Sequence, residues 1–435
     1  MLNLLSRPLV RVVDRYLPDP YVLVLILTIV VMAAAMLVEG HGPGAVIEMW
    51  GDGFWSLLQF SMQMLLVLVA GFMMASTPVV RRALAMLATK AKSPSSAIVM
   101  VTLISLAASW INWGFGLVVG ALFAKELARL VRVDYRLLVA SAYSGFLVWH
   151  GGLAGSIPLS VATPGHPFES LIGVISTTDS TFSFYNMAIV IALFIAVPLV
   201  NRAMLPSEAD SVYVDPAKLG DETVKDTKPE RPAEWLETTP YLSWVIGVAG
   251  LYWLASYFFG GGSLSLNVVN FLFLTLAILL HGTPRRLLDS LAEGIGGAAG
   301  IVIQFPFYAG IMGIMVASGL AATISDAMVS LATERTFPFW TFLSAGIVNF
   351  FVPSGGGQWA VQAPVVLPAA LELGVDPARA AMAVAWGDAW TNMIQPFWAL
   401  PILGIAGLRA KDIMGFCVMH LLIGGAIIAI GLTFL

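Results

Sequence analysis

The chain has 435 residues, 58% of them hydrophobic and 11% charged, with a mean hydropathy of +0.87. Soluble domains carry about 25% charged residues, so a soluble fold is excluded and a polytopic α-helical membrane protein is expected. The apolar runs lack the alternation of β-barrel strands. The net charge of −4 constrains little, and the lone Cys417, inside an apolar run, excludes a disulfide framework and a thiol metal cluster. No nucleic-acid motif and no Gly-rich phosphate loop stands in a strand–helix context, so nucleic acid is not an expected partner.

In chain order, residues 1–20 read as a short amphipathic approach carrying Arg7, Arg11 and Arg15. Residues 21–38 are apolar, long enough to span, and followed by no small-residue cleavage site. Residues 39–52 read as an acidic loop, and residues 54–76 as the second span. After a basic cluster (Arg81, Arg82, Lys90, Lys92) comes an apolar segment near 97–124, interrupted at Asn112-Trp113-Gly114-Phe115-Gly116. It is flanked on both sides by basic residues, which predicts a hairpin that enters and leaves on one side. Residues 137–149 enter again and break at His150-Gly151-Gly152 and Gly155-Ser156; residues 184–200 return. The hydrophilic stretch 201–240 is a cytoplasmic linker whose charge run is a solvated one.

Residues 241–259 form a connecting span, 264–280 return, and 295–317 cross outward. A second hairpin is predicted near 337–371, centred on Pro353-Ser354-Gly355-Gly356-Gly357-Gln358-Trp359. There the glycines and proline are expected to end the helix that reaches them. Residues 380–408 form a span broken near 388–396, and 413–432 are the last. With the N-terminus cytoplasmic, only Arg335 and Arg379 of the 22 Lys and Arg residues fall outside, the bias that the positive-inside rule demands.

The chain also repeats itself. Gly51 and Gly53 recur as Gly294 and Gly296, Leu87-Ala88-Thr89 as Leu331-Ala332-Thr333, Pro94 as Pro338, and Ala140, Ala142, Tyr143 and Pro158 as Ala383, Ala385, Trp386 and Pro401, all at nearly one offset. This predicts a first repeat at 1–200, the linker at 201–240, the connecting span at 241–259 and a second repeat at 260–435. The odd connecting span turns the second repeat upside down. Each repeat holds a re-entrant hairpin and a broken transmembrane helix, the pattern of secondary transporters.

The breaks are where chemistry is possible. Irregular backbone at membrane depth survives only where protein buries it or a wet cavity lines it. Half-helix N-termini offer amides to anions, and freed carbonyls suit a cation. Candidate substrate ligands are Ser109, Asn112, Gly114, Gly116 and Ser156 around the first breaks, and Ser354, Gly355, Gly356, Gly357 and Gln358 around the second, with Gln362 and Gln395 nearby. No Lys or Arg falls in the interior to clamp a phosphate or a second carboxylate, so a small monocarboxylate is the expected substrate. Asp388 is the one acidic residue placed well inside a span, where a charge costs about 2.5–3.5 kcal/mol. It needs a proton, a cation or a partner, or else it caps the helix break. With Thr391, Asn392 and His150 it forms the candidate coupling-ion set, with sodium near Asp388, Thr391 and Asn392 as the alternative to a proton. His150 alone also reads as a hydrogen-bonded filler. Trp110, Trp113, Trp359, Trp386, Trp390 and Trp398 cluster at the breaks, either lining an acyl slot or packing.

Met49-Trp50-Gly51-Asp52-Gly53-Phe54-Trp55, residues 111–120, residues 304–310, residues 352–359 and Gln395-Pro396-Phe397-Trp398-Ala399-Leu400-Pro401 together resemble the short-chain fatty acid transporter family over nearly the whole chain. The resemblance implies an inner-membrane symporter for acetoacetate, butyrate and similar acids, with two inverted repeats, an acidic residue at 388 and no cofactor beyond a coupling proton or sodium ion. Its expected partners are the substrate, the bilayer and a second copy of the chain in a homodimer. An intramembrane acyl-handling enzyme is the alternative. It needs a nucleophile with a base at depth, and Asp388 and His150 lie in different repeats without a partnering motif. A channel would show a ring of like side chains, and none is marked.

Overall fold

A computed structural model describes residues 18, 20–219, 231–296 and 298–435. The approach segment read at 1–20 therefore lies almost wholly outside the described residues, as does the middle of the linker. The first set of helices is α1 (Pro20–Leu37), α2 (Pro43–Gly53), α3 (Leu58–Ala75), α4 (Pro78–Ala88), the pair α5 (Pro94–Ile111) and α6 (Trp113–Leu130), then α7 (Tyr135–Ser144), a 3-10 turn (Gly145–Gly151), α8 (Ser156–Val161), α9 (Glu169–Ile172) and α10 (Phe184–Ala203). Two connecting helices follow, α11 (Pro232–Thr238) and α12 (Tyr241–Phe259). The order then recurs as α13 (Leu266–His281), α14 (Pro284–Gly296), α15 (Ala299–Ala317), α16 (Leu320–Leu331), the pair α17 (Phe337–Val348) and α18 (Gly355–Glu372), α19 (Pro377–Thr391), a 3-10 turn (Asn392–Ile394), α20 (Pro396–Ala406) and α21 (Ala410–Phe434). Among the described residues, 7 stretches are long and apolar enough to cross a membrane. The chain is an all-α polytopic membrane protein.

Two expectations need correction. Residues 39–52 are not an open loop: Pro43 at the first helical turn starts α2, whose Val46 is buried. Proline suits that position because its missing N–H would have no intrahelical partner there. The first hairpin is also longer than 97–124. The capping box of Ser93 and Ser96 starts α5 at Pro94, and α6 runs to Leu130. Each arm has 18 residues, which is about 27 Å of helix.

Long-range contacts sort the helix ends onto two faces. On one, the Tyr135 hydroxyl donates to the Ala406 carbonyl (2.9 Å), the Tyr135 amide to Val212 (2.8 Å), His281 Nε2 meets the Met73 carbonyl (2.8 Å), and Arg285 pairs with Glu237. On the other, His41 Nε2 meets the Ser318 carbonyl (3.0 Å), the Leu266 amide donates to Thr163 Oγ1 (3.0 Å), and Arg379 donates to the Leu432 carbonyl (2.6 Å). On the first face Lys92 and Arg132 border one cleft with Asp134, which pairs with Arg136; on the second, Arg379 reaches Leu432 and Arg335 lies over Phe434.

Helices in lipid gain little by burying apolar surface against one another, so close approach through small residues must hold them. A Cβ on Gly53 would lie 2.8 Å from Gly313 Cα, one on Gly120 2.8 Å from Ser105 Oγ, and one on Gly387 2.6 Å from the Ala345 Cβ. These contacts lock α2 to α15, α5 to α6, and α17 to α19.

Candidate functional site

The second hairpin does not end on its glycines; it begins on them. The chain leaves α17 after Asn349, runs extended through Ser354 (φ −153°, ψ 114°), and Gly355, Gly356 and Gly357 form the first turn of α18. None of the three has a positive φ, so a left-handed conformation is not why they are glycine. Close approach is. A Cβ on Gly355 would strike His150 Nε2 and lie 2.9 Å from Trp149; one on Gly356 would lie 3.0 Å from Phe60; one on Gly357 would lie 2.5 Å from the Tyr308 ring. The first intrahelical bond runs from the Gln358 amide to the Ser354 carbonyl (2.7 Å), and the Ser354 side chain caps nothing. The described residues thus give the Gly355, Gly356 and Gly357 amides no acceptor, and all three residues are buried. A buried helix end without partners calls for a ligand, and its positive dipole end favours an anion.

The broken helix α19–α20 meets this turn. Asp388 sits on the last turn of α19 and is 0% exposed. His150 comes from the 3-10 turn of the first repeat, is equally buried, and places Nε2 3.9 Å from Asp388 Oδ1. The two groups that the sequence kept in separate repeats are therefore neighbours. Amide side chains knit the break together. Asn349 Nδ2 donates to the Asp388 carbonyl (2.9 Å) and to Thr391 Oγ1 (2.8 Å); Asn392 Nδ2 donates to the Asp388 carbonyl (2.5 Å) and Oδ1 (3.1 Å); Gln395 donates to the Asn349 carbonyl; Gln358 Nε2 donates to the Ala345 carbonyl (2.8 Å) and Gln362 Oε1 (2.7 Å). Their oxygens are left over. Asp388 Oδ2, the side-chain oxygens of Asn349, Gln358, Asn392 and Gln395, and both ring nitrogens of His150 are buried without a hydrogen bond of regular geometry among the described residues. Each such group costs about 1–3 kcal/mol, and native proteins hold few. Their concentration around one break marks a place where something else binds.

The first hairpin tip is different. Asn112 Oδ1 accepts from the Phe115 amide (2.9 Å) and caps α6, while its Nδ2 donates to the Val67 carbonyl (3.4 Å). Gly114 packs on the Leu68 backbone and Gly116 on Ser109. Ser156 is buried at the start of α8. Of these, Gly114 borders a mostly apolar cavity of about 610 Å³ that reaches from Glu293 and Gly294 to Gln304 and Trp398. Gln304 accepts from the Tyr308 hydroxyl (3.0 Å), and the Tyr308 ring closes over Gly357. The tip still borders the site indirectly, because Trp113 packs on Trp149 at 5.6 Å between centroids. Three of the six indoles at the breaks act as struts: Trp110 donates to Gly151 (3.1 Å), Trp386 to Asn186 (3.0 Å) and Trp390 to Leu421 (2.7 Å). Sequence reading missed Asn349 and Tyr308. Asn349, three residues before Val352 at the end of an apolar run, was the detectable one.

Paired helical hairpins, two spans broken at depth and a polar knot at one break define a helical membrane transport protein. Structural likeness agrees at the level of fold: a YdaH transporter from Alcanivorax borkumensis, described as having an unusual topology, aligns with a TM-score of 0.59 at 16% identity over 96% of this chain and 97% of its own. MtrF of Neisseria gonorrhoeae, described within a class of antimetabolite efflux pumps, aligns at 0.51 and 14% over 98% and 97%. The sequence model of the short chain fatty acid transporter family matches residues 1–435, and the chain belongs to that family. Relatives provisionally named short-chain fatty acid transporters are 45% identical in Escherichia coli K12 and 42% identical in Haemophilus influenzae Rd, each over 100% of both chains. Family membership makes this chain a transporter and not an intramembrane enzyme.

Proposed function

We propose that this protein takes up small monocarboxylates such as butyrate and acetoacetate by cation symport, across the bacterial inner membrane with its N-terminus and basic face in the cytoplasm. In this reading the two helix sets are inverted repeats, the α5–α6 and α17–α18 pairs are re-entrant hairpins, and the breaks alternate in access. The observation that carries it is the uncapped, buried turn Gly355–Gly357 beside Asp388. Three amides suit one carboxylate, and no Lys or Arg among the described residues stands by to neutralise a second. A bare Asp388 beside a substrate carboxylate would repel it, with little screening at depth. Once Asp388 carries a proton or a cation the repulsion is gone, so anion and cation must bind together.

A proton is the first choice, because burial disfavours a charged carboxylate. Sodium is the second reading, supported by the leftover oxygens of Asn349, Asn392 and Gln395 beside Asp388 and Thr391, since hard cations take such ligands. Proteoliposomes loaded for uptake of labelled butyrate, under an imposed proton gradient and then a sodium gradient, separate the two. Asp388→Asn imitates the neutral form. It should exchange butyrate across the membrane yet lose gradient-driven accumulation. Accumulation equal to wild type under either gradient would show Asp388 to be a structural cap.

A further inference from the structure

We propose that His150 is itself a ligand of the transported carboxylate, and not only the partner of Asp388. This rests on the reading of the α18 N-terminus as the anion seat. The imidazole is wedged between that seat and Asp388. Gly355 has room for nothing but hydrogen because Nε2 and Cε1 of His150 lie where its Cβ would be. On the far side, Asp388 Oδ1 is 3.9 Å from Nε2, too far for a hydrogen bond. Both ring nitrogens are buried and make no hydrogen bond of regular geometry among the described residues; the Ala385 carbonyl lies close enough to engage one of them, which leaves the other for a ligand. Packing also fixes the orientation of the ring: the Trp149 ring lies 3.6 Å away between centroids at 73°. Gly152, two residues on, is pressed against the Trp110 backbone, and the Leu153 amide donates to the Trp110 carbonyl (2.7 Å). The turn that presents His150 is therefore anchored to the first hairpin, while the seat belongs to the second.

A carboxylate on the Gly355–Gly357 amides has two oxygens with more acceptor positions than three amides fill. An Nε2–H directed at one of them completes the shell. Of the elements packed on the 145–151 turn, α5 and α8 carry no charged residue, α6, α7 and α10 carry theirs toward the basic face (Lys125, Glu126, Arg129, Arg136, Arg202), and α19 carries Arg379 near the opposite face and Asp388 at the site. Among the described residues of these elements, Asp388 is thus the one ionisable neighbour with which a bound anion competes for His150. Each hairpin then contributes to holding one substrate: the second supplies backbone amides, and the first steadies the imidazole.

The test separates a ligand from a mere partner of Asp388. Equilibrium binding of labelled butyrate is measured on purified full-length protein in nanodiscs, with Asp388→Asn as the background so that the carboxylate pair no longer exists. Adding His150→Phe to Asp388→Asn should weaken binding roughly 10- to 100-fold, the effect of losing one charge-assisted hydrogen bond. Equal affinity, within about twofold, overturns the proposal, because a residue that only serves Asp388 has no role left once Asp388 is gone. If the phenylalanine variant does not fold, His150→Gln, which keeps a donor near Nε2, is compared with His150→Met, which has none. Roughly tenfold tighter binding by the glutamine variant supports the proposal, and equal binding refutes it. Failure of the anion-seat reading looks different: Asp388→Asn protein with His150 intact would then bind no butyrate at all.

Discussion

Gly356 shows how little room a functional glycine leaves. A methyl group there would sit 3.0 Å from Phe60 Cζ and 3.1 Å from Met64 Cγ, both flexible enough to yield. A leucine reaches past them. Overpacking of this kind costs about 1–3 kcal/mol, which leaves insertion and folding intact while the side chain fills the mouth of the anion seat. Gly356→Leu should therefore reach the membrane in normal amount, elute as a single species after solubilisation, and take up no butyrate. Normal uptake would make the turn a packing feature. The same residue shows what the sequence conceals. Three glycines after a proline read as a helix stop because glycine so often closes helices with a positive φ. Here the glycines open a helix, and the reason is the side chains opposite, His150 and Tyr308, which lie in other parts of the chain. The position of the break was legible in the composition; its polarity depended on tertiary neighbours.

Between helices, the structure relies on a second polar knot that the sequence did not reveal. Asn201, near the end of α10, donates to Thr102 Oγ1 (2.9 Å) on α5 and to Ser144 Oγ (2.9 Å) at the end of α7, and its Oδ1 meets His420 Nε2 (2.5 Å) on α21. All four residues are buried. The last span is thereby tied to the first hairpin and to the broken helix that carries His150. Hydrogen bonds between membrane helices average about 0.6 kcal/mol, and each partner left buried and unsatisfied adds its own penalty. Asn201→Ala removes three bonds at once and should cost on the order of 2 kcal/mol by these figures. The thermal unfolding midpoint of the purified protein should fall, by more than for Thr102→Val, which removes one bond of the knot and the hydroxyl's bond to the Ile98 carbonyl (2.7 Å). A midpoint unchanged by Asn201→Ala would show that the knot contributes nothing. Periodicity could not announce this cluster, because Asn201 opens the hydrophilic linker in sequence and His420 stands alone in an apolar run. The α2 helix was hidden for a related reason: its acidic residues and glycines resemble a loop until Val46 is seen buried. The hairpins and broken spans were legible, because glycine, proline and amide residues seldom gather inside an apolar run unless the helix breaks there.

At the scale of the molecule, the question is which way up the second helix set lies. The charge pattern places Lys92, at the base of the first hairpin, on the basic face together with Lys411 and the linker, whereas Glu334, at the base of the second hairpin, lies on the face that holds Arg335 and Arg379. The contacts agree with this division, because Arg335 stacks over Phe434 (5.4 Å) and Arg379 over Tyr185 (5.3 Å), while the linker docks through the Val212 amide on Asp134 (2.7 Å). Hairpin bases on opposite faces are what the proposed inversion requires, and in that reading both tips come to one depth beside the 145–151 turn. Single cysteines in a Cys417→Ser background test this directly. Lys92, Glu208 and Thr178 are exposed in the first half, and Glu334 and Lys411 in the second. Cysteine at 92, 208 or 411 should react with an impermeant maleimide only from the cytoplasmic side, and cysteine at 178 or 334 only from outside. The informative pair is 92 and 334. Labelling of both from one side would put the two hairpins in parallel, separate the Gly355–Gly357 seat from the turn that carries His150, and remove the geometric basis for coupling through Asp388.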